Sequence, residues 1–90
     1  MAVEFPREGQ GFRAEIKVGE NIHLVLMATH TGAGPVASIY DAKLKKWWPN
    51  REWAEDIDDG KRRAENLVRT WYRYVGLKTP LPAFEWKETG

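Results

Sequence analysis

The chain has 90 residues, with 14 Lys and Arg against 13 Asp and Glu for a formal net charge of +1, and 42% of its residues are hydrophobic. This is one domain's worth of ordinary globular composition, which argues against global disorder, and its total charge says nothing about partners. There is no cysteine, so disulfides, thiolate zinc sites and cysteine nucleophiles are excluded and a reducing, cytoplasmic setting is expected.

A core of this size is near the lower limit of self-sufficiency, so stability on the order of 5 kcal/mol is expected. No segment is apolar over the roughly 18 residues that a bilayer crossing needs. The longest apolar run, residues 24–28, is a strand's length. The N-terminus lacks the basic-then-apolar order of a signal peptide, and no membrane association is expected.

Residues 1–10 hold Pro6 and Gly9 with little periodicity and read as a loose arm. A folded core is expected over 11–76 and an extended tail over 77–90. From position 12, Phe12, Ala14, Ile16 and Val18 alternate with Arg13, Glu15 and Lys17, the period of a half-buried strand. Gly19-Glu20-Asn21 is a turn-forming group, so a second strand over 22–29 closes an antiparallel hairpin. On that strand Ile22, Leu24, Leu26 and Ala28 share one face, and His23, Val25, Met27 and Thr29 the other. A strand apolar on both sides is central, or has its far face covered; the tail, a second copy or a partner protein could cover it here.

Residues 31–35, Thr-Gly-Ala-Gly-Pro, read as a loop. The stretch 36–48 admits two readings. One is a strand over 36–40, a turn at 41–44 and a short strand of Lys46, Trp47 and Trp48 before Pro49. The other is a helix opened by Pro35, with Val36, Tyr40, Leu44 and Trp47 near helical spacing. Strands are preferred, because a hairpin needs a third strand to make a stable sheet.

The clearest element is a helix. Ala64, Leu67, Val68, Trp71, Tyr72 and Val75 fall on one stripe, and Gly76 stops it. Asp56 is the expected N-cap, with Asp59 reaching back as in a capping box. A longer version could begin after Asn50. The seam expected against the hairpin is Ala64, Leu67, Trp71 and Val75. Leu77, Leu81, Phe84 and Trp86 then predict that part of the tail docks on the fold. The chain therefore reads as α+β, a three- to four-stranded antiparallel sheet in chain order with one C-terminal amphipathic helix packed on one face.

For chemistry, the most suggestive stretch is 43–53, where Lys43, Lys45, Lys46, Trp47, Trp48 and Arg51 interleave cations with aromatics. Single-stranded nucleic-acid surfaces use that combination, since bases stack on rings and phosphates attract Lys and Arg. A helix stripe of Arg62, Arg69 and Arg73 could add backbone contacts. The competing reading puts Trp47 or Trp48, and Trp53, in the core, with the lysines as a solvated edge. RNA-binding aromatic motifs and a GxxG clamp are absent.

Other patterns fail on spacing. Residues 32–37 match a relaxed GxGxxA, but the chain is too short for a doubly wound sheet and Pro35 removes an amide. Residues 56–60 suggest a calcium loop, yet Leu67 stands where the closing glutamate belongs. His23 and His30 are an odd seven apart, which in an unbroken strand puts them on opposite faces. No nucleophile elbow, Walker loop or His-Glu-x-x-His is present, so no catalysis, cofactor or metal is expected. The function expected is a non-catalytic interaction module that binds another protein or itself through a sheet face or edge. Nucleic-acid binding through 43–53 and the arginine stripe is the alternative.

Overall fold

A computed structural model describes residues 11–89; the arm expected over 1–10 lies outside them. The chain forms β1 (Gly11–Val18), β2 (Ile22–Thr31), β3 (Gly34–Asp41), β4 (Lys46–Trp47), β5 (Glu52–Trp53), α1 (Ile57–Tyr74) and β6 (Lys87–Glu88). The architecture is α+β as expected, with all described strand pairs antiparallel. Three long strands follow chain order, and short strands extend both sides: β4-β3-β2-β1-β6, with β5 also on β3. Among the described residues the sheet thus has six strands rather than three or four. β5 and β6 were invisible to periodicity because two residues complete no alternation.

The strand reading of 36–48 is the one adopted. β3 pairs with β2 from Gly34 opposite Thr31 to Asp41 opposite Leu24, so the loop expected over 31–35 shrinks to Gly32 and Ala33. Pro35 is tolerated because its backbone groups point away from β2: its C=O accepts from Ala54 N–H at 3.0 Å, so no β2–β3 bond is lost with its N–H. A turn follows β3. Asp41 Oδ1 accepts the N–H groups of Lys43 and Leu44, each at 3.0 Å, and Lys45 closes the turn in the left-handed region at φ 56°.

Asp56 caps α1, accepting the Asp59 N–H at 2.7 Å. Asp59 reaches back to the N–H of Glu55 rather than that of Asp56, a one-residue variant of the capping box. At the other end Gly76, at φ 75°, directs its N–H to Arg73 C=O while Leu77 N–H reaches Tyr72 C=O. That pair of bonds is a Schellman ending, and the positive φ is why glycine stands there.

The core lies between α1 and one sheet face. Ala14, Ile16, Leu24, Leu26, Ala37 and Ile39 meet Ala64 and Val68. Gly60 allows the closest approach, since a Cβ there would stand 3.3 Å from Ala28 Cβ. The buried seam is therefore Gly60, Ala64, Val68 and Tyr72, every fourth residue. Of the seam expected from sequence, Ala64 is buried and Leu67 and Trp71 are half-buried, but Val75 is 45% exposed. Val75 is the helix's terminal cap residue and lies past the last turn that touches the sheet.

On the other face Val25, Met27, Thr29, Val36 and Ser38 are already withdrawn from solvent, at 2–6% exposure. A second copy or partner is not required to bury them. The tail does not cover them either, for Leu81, Phe84 and Trp86 pack on the core on the helix side. At the end of the tail β6 pairs with the start of β1.

Candidate functional site

Strand geometry decides what the basic-aromatic segment can present. Trp47 stands opposite Tyr40 in the β3–β4 ladder, and the two rings pack at 5.0 Å. Trp48, the next residue, points to the opposite face. There it packs against the core and lies 5.6 Å from the ring of Trp71. The two tryptophans are back to back and form no common stacking platform. Trp53, placed in the core by the competing reading, is 59% exposed. Its partner in the ladder is Val36, on the second sheet face.

The cations disperse in the same way. Lys43, Lys45 and Lys46 are exposed on the turn and on β4, and Arg51 is exposed beyond Pro49. On α1, Arg62 pairs with Asp59 at 2.6 Å. Arg69 pairs with Glu65 at 3.1 Å and donates to Asn66. Arg73 is exposed and makes no ion pair among the described residues. Arg62 and Arg69 are thus each held by a carboxylate of their own helix.

What the fold does bring together is a cleft of about 570 Å³ between the β4–β5 connection and α1. Its apolar lining is Trp48, Pro49, Leu67, Trp71 and Tyr74, and Asn50, Glu52, Asn66 and Thr70 supply polar atoms. Among the described residues no Lys or Arg lines it. Of the candidate contact residues read from the sequence, Trp48 alone belongs to it. Two local causes make the cleft. Trp48 N–H donates to Ile39 C=O at 2.9 Å, which fixes the chain before Pro49 turns it away from the sheet. Positions 67, 70, 71 and 74 share one flank of a helix with 3.6 residues per turn. Tyr74, at that flank's end, is 88% exposed.

The signal for this flank was present in the sequence: Thr70 and Tyr74 continue from Leu67 and Trp71 at helical spacing. Sequence reading assigned Leu67 and Trp71 to the core and passed over Tyr74, because a periodic stripe does not tell its centre from its margin.

The strongest electrostatic feature near the helix start is structural. Asp59 is 7% exposed. Its Oδ2 accepts from Arg63 Nε at 2.7 Å and from Glu55 N–H at 3.0 Å, and its Oδ1 accepts from Arg62. The Arg63 hydrogen bond, and next the Glu55 amide, lower its pKa to about 2. Arg63 also donates to Glu52 Oε1 at 3.3 Å, tying β5 to the helix. The group therefore pins one wall of the cleft to the other.

Among the described residues no three of His, Cys, Asp or Glu are grouped to hold a metal ion. β2 pairs without a bulge through His23 and His30, so the two stay on opposite faces. His23 Nε2 donates to Glu15 Oε1 at 2.8 Å, and that bond lowers the Glu15 pKa. No described helix is long and apolar enough to cross a membrane. No family model, curated protein or solved structure matches the chain, so its function rests on its own residues.

Proposed function

We propose that this chain is a non-catalytic interaction module that takes an extended, proline-containing segment of a partner protein into the cleft at its β4–β5 sheet edge. The observation that carries the reading is the lining: three aromatic rings and a proline around a cleft, with polar atoms and, among the described residues, no cation. Grooves of stacked aromatics receive polyproline-type segments because such segments lose little entropy on docking. Asn50, Asn66 and Thr70 offer hydrogen-bonding groups to a backbone that has no internal partners.

The opposite flank of α1 supports the same chemistry. There the chain's own proline-punctuated tail lies against the helix, with Leu81, Phe84 and Trp86 packed on the core. Nucleic-acid binding is supported less well. Trp47 and Trp48 face apart, and Arg62 and Arg69 are held by neighbouring carboxylates.

The test is tryptophan fluorescence titrated with a synthetic peptide of repeated Pro-Leu-Pro units, and separately with oligothymidine at low and high salt. The expected result is saturable change with the peptide, insensitive to salt, and weakened about fivefold or more by Tyr74→Ala. No response to the peptide, or a response to oligothymidine that falls steeply with salt, would overturn it.

A further inference from the structure

We propose a second interaction surface, the outer edge of β1, which joins two copies of this chain into an antiparallel continuous sheet with Glu15 of each copy facing Lys17 of the other. The proposal is independent of the cleft.

β6 pairs with β1 only at Phe12 and Arg13. Beyond them the tail leaves the edge for the helix, where Trp86 Nε1 donates to Glu65 at 2.8 Å and Phe84 lies 5.3 Å beneath the Arg69 guanidinium. No described backbone group bonds to the outer edge at Glu15 or Lys17. Both side chains are exposed. An edge that no described strand pairs is a template for another strand.

The ladder fixes which backbone groups point outward. Thr89 N–H donates to Gly11 C=O at 2.8 Å, so Gly11 turns its backbone groups away from β2. Direction alternates along a strand, so Arg13, Glu15 and Lys17 do the same, while Ala14 and Ile16 bond toward β2. Two such edges can pair antiparallel only where outward residues oppose outward residues.

Few registers satisfy that rule. Glu15 against Glu15, or Lys17 against Lys17, places like charges directly opposite, which is unfavourable. Arg13 against Glu15 would require displacing Lys87. Centring the pair on Ile16 sets Glu15 against Lys17 twice, by symmetry, and forms backbone bonds at both pairs. The remaining intramolecular contacts of Glu15, to His23 and to Arg13 at 4.0 Å, lie on its own sheet face and leave the backbone edge open. Charges on an edge discourage random aggregation; in this arrangement they select one register. The strip is short, so a weak dimer seen at high protein concentration is expected.

The experiment is sedimentation equilibrium over a wide concentration range. Wild type should self-associate, and Glu15→Lys or Lys17→Glu alone should weaken association about tenfold or more. Mixing the two variants should restore it as a heterodimer, since each then meets its opposite charge. Unchanged circular dichroism in each variant separates this from unfolding, and the rescue itself requires folded chains. A wild type that stays monomeric, variants that associate as well as wild type, or a mixture without rescue would each overturn the proposal.

Discussion

The two flanks of α1 carry similar residues and meet different fates. On one, Trp86 is hydrogen-bonded to Glu65, Phe84 lies under Arg69, and the Tyr72 hydroxyl bonds to Thr79 Oγ1 at 2.7 Å. On the other, Trp48, Trp71 and Tyr74 line an open cleft. Both flanks are aromatic, and both have a polar margin. The closed flank is filled by an extended segment with Pro80 and Pro82, and every polar anchor just named is satisfied from within the chain. The open flank offers the same kind of surface with no segment of the described chain in it. The difference lies at the margin: Trp48 and Trp71 pack on the core as Phe84 and Trp86 do, but on their flank the exposed Tyr74 has no segment of the described chain over it.

The largest effect should come from breaking what both flanks share. Leu26→Ala, at 0% exposure in the middle strand, should cost about 2–5 kcal/mol in a denaturant titration, because the sheet cannot collapse around the void. Next is the contrast itself. Trp86→Ala removes a half-buried ring and the partner of Glu65, and should cost about 2–3 kcal/mol. Tyr74→Ala should change stability by no more than about 0.5 kcal/mol. Equal losses at the two positions would erase the distinction between the flanks.

A smaller effect of opposite sign sits on the second sheet face. Thr29 is 2% exposed, and its hydroxyl makes no hydrogen bond among the described residues. Thr29→Val should therefore stabilise the chain by about 1 kcal/mol, read as a raised denaturation midpoint. The last prediction concerns acid. Asp59 is depressed to about 2 from an unfolded value near 3.9. Its contribution to stability is complete above the unfolded value and is lost as pH falls through the folded one. Melting temperature should fall between about pH 4 and pH 2, and Asp59→Asn should flatten that part of the curve. A steep fall that the variant retains would place the acid sensitivity elsewhere.

The hairpin, the preferred strand reading of 36–48, the Asp56 cap and the Gly76 stop were legible because each is a local rule: alternation of apolar residues, a side-chain acceptor at the N-terminus, a left-handed residue at the end. The seam was read one position off, because Val68 and Tyr72 share the stripe with Leu67 and Trp71, and only tertiary packing selects the centre. The same ambiguity hid the cleft. Leu67 and Trp71 look like core in a sequence, and Tyr74 gains meaning only when Trp48 and Pro49 arrive opposite it. The basic-aromatic segment shows the converse. Lys43 through Arg51 is continuous in sequence, but a strand sends Trp47 and Trp48 to opposite faces.

The most direct measurement follows the five tryptophan indole N–H signals by NMR while the Pro-Leu-Pro peptide is added. The signals of Trp48 and Trp71 should shift together and saturate, with Trp86 and Trp53 unmoved. Shifts confined to Trp47 or Trp53, or a Trp86 signal that moves with the others, would contradict the division between an open flank and a closed one.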